Sequence, residues 1–203
     1  PSELLAVLER IPSNAHPMDV MRTGCSMLGT LEPETSFSTQ LDTANRIMSV
    51  FPGILMYWHH FSSSGKRIST STNEESLAGH FLNLLHGDSP DDLHKRGMDV
   101  SLILYAEHEF NASTFTARVC AATLSDLYSA VTGAIGTLRG PLHGGANEAA
   151  MDLIQQFSDP ESATSGLKEM LKRKEKIMGF GHAVYRELDP RNQIIKSWSE
   201  RLS

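Results

Sequence analysis

The chain has 203 residues, 40% hydrophobic and 21% charged, ordinary for a globular protein that buries a core. A formal net charge of -6 gives no basic footprint for nucleic acid, so anionic ligands would need local Arg and His groups. Cys25 and Cys120 make no disulfide framework and fit a reduced, intracellular protein, and no apolar stretch reaches the about 20 residues of a membrane span.

In chain order the pattern is helical nearly throughout. Leu4, Leu5, Leu8 and Ile11 share one face of a first helix, which Pro12 ends. Pro17 stands where a second helix begins, with Met18, Met21, Cys25 and Leu28 at helical spacing. A third helix is predicted over 38–50 and stopped by Pro52-Gly53, with a short buried helix over 54–61 after it. A polar loop follows through Thr72. Asn73 or Ser76 can cap a helix that breaks at His86-Gly87-Asp88.

Further helices are predicted over 93–105, 113–125 and 128–138. The last carries Ala130, Gly133, Ala134 and Gly136, small residues that suit close packing inside the chain or a subunit interface. After Gly140-Pro141 comes a Gly-rich turn and a helix over 148–157. Pro160 marks a loop, 167–174 is amphipathic and basic, Gly179-Phe180-Gly181 breaks it, and a last helix starts after Pro190. Only 67–72 has a strand-like composition, too short for a sheet, so the fold class is all-α. The chain starts at Pro1 rather than Met and stops in an amphipathic run, and is expected to be truncated at both ends.

The chemistry is sought among nine histidines. His59, His60, His80, His86 and His94 lie on or beside helices without companion ligands and read as structural. No His pair has metal-site spacing with a supporting carboxylate or Cys, so no metal is expected. His108, His143 and His182 differ. Each stands at a helix boundary, and around His143 and His182 glycines permit close approach of a ligand to the backbone. An imidazole there can hydrogen-bond or transfer a proton near neutral pH, or simply shape a turn. Asp189-Pro190-Arg191 puts a guanidinium in the first turn of a helix, where it suits a carboxylate or lies solvated.

Together, Gly-Pro-Leu-His-Gly-Gly-Ala-Asn-Glu-Ala-Ala (140–150), Gly-Phe-Gly-His-Ala-Val-Tyr-Arg with Asp-Pro-Arg (179–191), and Glu-His-Glu-Phe-Asn-Ala-Ser-Thr-Phe-Thr-Ala-Arg (107–118) resemble the signature segments of the citrate synthase family. They occur in the family's order and spacing, and His16-Pro17-Met18 resembles another landmark. Tyr57-Trp58-His59-His60-Phe61, Gly79-His80-Phe81-Leu82, and Tyr105, Glu107 and Phe110 around His108 are more similar to the 2-methylcitrate synthase branch.

The resemblance implies a two-domain, all-α homodimer in the cytoplasm, with residues 1–142 in a large domain and 143–203 opening a small one. The small-residue helix at 128–138 would then belong to the dimer interface. The implied substrates are oxaloacetate and a short acyl-CoA, propionyl-CoA first and acetyl-CoA as the alternative, with no permanently bound cofactor. His143 matches the histidine that hydrogen-bonds the thioester oxygen, and His182 the one that polarises the ketone. His108 and Arg191 match binders of oxaloacetate's carboxylates. Ser113, with Asn111 beside it, matches the hydroxyl that orients the enolising histidine. Lys176, Ile177, Met178, Gly179 and Phe180 match the loop around the CoA adenine, and Arg186 a phosphate contact. The family's basic aspartate and its later arginines have no match in the chain, which fits truncation. A helical scaffold that has lost catalysis and a metal-dependent hydrolase are the rival readings.

Overall fold

The computed structural model describes residues 1–107, 109–181, 185 and 187–203, and its elements among these are helical. They are α1 (Ser2–Leu8), α2 (Pro17–Leu31), a 3-10 turn (Phe37–Thr39), α3 (Gln40–Ser64), α4 (Leu77–His86), α5 (Asp92–Tyr105), α6 (Ala112–Ala121), α7 (Leu127–Leu138), α8 (Gly145–Gln155), α9 (Pro160–Lys172) and α10 (Pro190–Leu202).

The core is where α1, α2, α3 and α7 meet. Leu8, Val20, Cys25, Leu28, Ile54, Tyr57, Trp58, Tyr128 and Ile135 are all buried there. Two glycines of α2 make the close crossings possible. A Cβ on Gly24 would lie 2.6 Å from Ile54 Cγ2, and one on Gly29 would lie 2.6 Å from Tyr128 Cβ. Neither gap admits a methyl group. Two of the small residues of α7 meet neighbours inside the chain: Gly133 faces Thr116 of α6, and Gly136 faces Arg22 of α2. Outside the core, α4 lies on α3, α5 on α4, and α10 on α5, with Trp198 and Leu202 against Gly97.

Three sequence expectations change. The first helix ends at Leu8 and continues only as a loose turn, Arg10 N–H reaching the Val7 carbonyl at 3.0 Å, so Pro12 lies beyond it. The predicted break at Pro52-Gly53 is absent: α3 runs unbroken for 25 residues through Pro52. Pro52 removes one hydrogen bond and crowds the preceding turn. Burial of Pro52, Gly53, Ile54, Met56, Tyr57 and Trp58 offsets that cost. Finally, Pro160 starts α9 at its first position, with Asp159 and Ser162 forming a reciprocal cap. Asp-Pro here is a helix opening and not a loop.

Candidate active site

The turn after α7 builds the His143 site. His143 N–H donates to the Gly140 carbonyl at 2.9 Å and Gly144 N–H to the Leu138 carbonyl at 2.9 Å, folding 138–145 tightly. A Cβ on Gly144 would stand 2.5 Å from that Leu138 oxygen, so only glycine fits. The turn delivers the half-buried His143 ring to the N-terminus of α6. Asn111 caps α6 by accepting from Thr114 N–H at 3.0 Å. The next orphan donor, Ser113 N–H, points at His143 Nε2 at 3.3 Å, and Ser113 Oγ lies 2.9 Å from the same nitrogen.

These contacts assign the ring's tautomer. A backbone N–H only donates, so Nε2 accepts and the ring proton belongs on Nδ1. The Ser113 hydroxyl stands between two acceptors, Nε2 and Asn111 Oδ1 at 2.7 Å, and its single proton serves either. Either way, Nδ1–H is left as a donor on the side of the ring away from Ser113.

The other predicted site residues divide into two groups. His108, His182 and Arg186 lie outside the described residues. Beside His108, Glu109 is held at φ 53, and Phe110 lies under the Arg118 guanidinium at 5.2 Å. A left-handed non-glycine residue is strained and marks the backbone at Glu109 as shaped. Arg191 is half-buried in the first turn of α10. Its guanidinium grips the Asp189 carboxylate with Nη2 at 2.6 Å and Nε at 2.9 Å, which raises its pKa, and it stands 5.7 Å from the Tyr185 ring. Asp189 also caps the helix through Arg191 N–H.

Lys176, Ile177, Met178, Gly179 and Phe180 form the loop after α9. With Leu167, Leu171, Glu175 and Gly181, the side chains of Lys176, Ile177 and Phe180 line an apolar groove of about 400 Å³. Gly179 lies against Ala150 of α8, which ties this loop to the helix that follows His143.

Several histidines have structural partners. His60 Nε2 bonds the Leu84 carbonyl at 2.9 Å, His80 Nδ1 bonds Thr72 Oγ1 at 2.8 Å, and His94 pairs with Asp91 at 2.7 Å. Burial lowers the pKa of His80. Among the described residues no three His, Cys, Asp or Glu side chains are placed to share a metal, and no helix is long and apolar enough to cross a membrane.

One pairing escaped the sequence reading. His16 caps α2 through Nδ1, which accepts from Met18 N–H at 3.1 Å, and its Nε2 meets Glu148 Oε1 of α8 at 2.7 Å. A contact across 132 positions leaves no local signal.

The profile described as "Citrate synthase, C-terminal domain" matches residues 1–203. The chain is 66% identical, over its whole length and 54% of the relative's, to a 2-methylcitrate synthase of Shewanella oneidensis. It is 42% identical to a citrate synthase of Heyndrickxia coagulans, covering all of this chain and 55% of that one. Among solved structures, the citrate synthase of Thermoplasma acidophilum, in ternary complex with carboxymethyl coenzyme A and oxaloacetate, superposes with a TM-score of 0.88 at 29% identity, over all of this chain and 54% of that one. The chain spans about half the length of the curated relatives it matches.

Proposed function

Because the chain belongs to the citrate synthase family, we propose that the protein condenses propionyl-CoA with oxaloacetate and hydrolyses the resulting thioester to 2-methylcitrate and CoA. Acetyl-CoA serves as a poorer substrate. The observation that carries the reading is the His143 ring, fixed by Ser113 through Nε2 so that Nδ1–H is free to donate. The 66% identity to a 2-methylcitrate synthase supports the choice of acyl group over the plain citrate synthase alternative.

The chemistry follows from that donor. Removing a proton α to a thioester places negative charge on the thioester oxygen. A preorganised N–H there stabilises the charge as it develops, and because it is uncharged it does so without becoming a competing acid. In this reading His182 polarises the oxaloacetate ketone and protonates its oxygen as the carbon–carbon bond forms. His108 and Arg191 bind the carboxylates, Asp189 holding the Arg191 fork flat for a bidentate contact. The groove of Leu167, Leu171, Lys176, Ile177 and Phe180 takes the CoA adenine, and the phosphate contact is assigned to Arg186. The carboxylate that takes the α-proton is assigned to none of residues 1–203.

The protein is further proposed to be a cytoplasmic homodimer without a permanently bound cofactor, its residues 1–142 and 143–203 belonging to two domains that close over substrate. Free Cys25 and Cys120 support a reducing compartment. The dimer is supported by α6, where Phe115 and Val119 share one face and are 62% and 54% exposed beside α7. The test is CoA release from propionyl-CoA by the full-length protein. It should require oxaloacetate; release without it would point to a hydrolase, and no release would refute the reading.

A further inference from the structure

We propose that His16 and Glu148 are positioning residues that clamp the His143 turn onto the N-terminus of α2. The proposal deepens the function just given and rests on His143 being its enol-stabilising donor. Three observations on different elements converge. First, α8 has no capping side chain of its own, whereas α6, α7, α9 and α10 are capped by Asn111, Asp126, Asp159 and Asp189. The first turn of α8, which begins two residues after His143, is held locally by backbone bonds alone, Gly145, Ala146 and Asn147 N–H reaching the Gly140, His143 and Gly144 carbonyls at 3.3, 3.2 and 3.3 Å, and no side chain of its own caps it.

Second, a side-chain restraint comes from α2. With Nδ1 of His16 accepting from Met18 N–H, the ring proton lies on Nε2 and is donated to Glu148 Oε1 at 2.7 Å. One imidazole therefore starts α2 and holds α8. Third, the same turn of α2 reaches the other side of the His143 turn. Asp19 Oδ2 lies 3.6 Å from Arg139 Nε, a charge contact beyond hydrogen-bond length, while Asp19 Oδ1 pairs with Arg22 at 3.1 Å. Arg139 and Glu148 bracket the turn, and both are drawn to the start of α2. Ser113 aims the ring, and the α2 contacts hold the backbone that carries it.

The test uses the full-length protein and three single variants. His16→Asn keeps a capping acceptor for Met18 but ends short of Glu148. Glu148→Ala removes the acceptor. Glu148→Gln keeps an oxygen for the Nε2 proton. His16→Asn and Glu148→Ala should each lower kcat about 10-fold, with the KM for oxaloacetate unchanged, and their double variant should be no worse than either alone. Glu148→Gln should stay within about two-fold of wild type, because a neutral donor needs only an acceptor. Amide hydrogen exchange over 139–145 should quicken in the first two variants and not in the third. Unchanged kcat together with unchanged exchange would overturn the clamp, as would a loss confined to KM or a Glu148→Gln variant as slow as Glu148→Ala. If wild type itself failed to condense, the proposed function would fall, while exchange at 139–145 would still decide the clamp.

Discussion

The role proposed for His143 uses the nitrogen that Ser113 leaves free. The Ser113 backbone amide and hydroxyl lie 3.3 and 2.9 Å from Nε2, so the useful proton sits on Nδ1 in a fixed direction. His143→Ala should lower kcat by about 10²–10³, the usual loss for an oxyanion donor, with a smaller change in substrate binding. Steady-state kinetics within a few-fold of wild type would remove His143 from the reaction. Glu9 has a different task. It accepts from Arg67 at 2.7 and 2.8 Å and from Tyr57 at 2.6 Å, and the Arg67 contact, then the Tyr57 hydroxyl, lower its pKa from the ordinary 4.5 to about 2. A carboxyl with a depressed folded-state pKa stabilises above its unfolded value and loses that contribution as pH falls through the folded one. Wild type should therefore out-stabilise Glu9→Gln at pH 6 in denaturant melts. The gap should narrow from about pH 4.5 down towards pH 2, and a gap independent of pH would mean that Glu9 contributes by packing alone. His143 was singled out by its Gly-rich setting, whereas its partner Ser113 was named only through a family resemblance. Thirty positions separate Ser113 from His143, and spacing carries no information across a fold. His16 and Glu148 show the same limit more sharply.

The elements were legible where local rules and tertiary packing agree. Ser76 and Gly87 bound α4, and Pro17 opens α2, as capping preferences require. They were misread where a proline had two meanings. Pro52 breaks a helix in water, yet here buried neighbours on both sides carry α3 through it; Pro160 follows a capping aspartate and starts a helix. The turn between α7 and α8 makes an element-scale prediction. Gly144→Ala would put a methyl group 2.5 Å from the Leu138 carbonyl, and backbone cannot rotate away as a side chain can. The turn must shift, and a displacement of about 1 Å at a reacting group can cost about 10²-fold. Circular dichroism should show the helices retained while kcat falls by that order. Wild-type kcat in a folded Gly144→Ala would mean that the turn does not set the geometry of His143.

At the scale of the molecule, residues 1–203 hold a packed core of α1, α2, α3 and α7, while the groups nearest the proposed chemistry sit at its margin. Ile194 and Ile195 of α10 remain 44% and 38% exposed, apolar surface that calls for cover. Residues 1–203 produced alone should be poorly soluble and release no CoA from propionyl-CoA, since no residue among them is assigned to take the α-proton. Turnover by that piece would place the base within it.

The choice of acyl group is decided by kcat/KM for propionyl-CoA against acetyl-CoA. The full-length protein would be assayed with both at saturating oxaloacetate. One methyl group in an apolar pocket is worth about 1–3 kcal/mol, so propionyl-CoA should be favoured by roughly 10- to 200-fold, with measurable acetyl-CoA turnover remaining. A ratio of one or below would rule out the propionyl-CoA preference and leave a citrate-forming enzyme in its place.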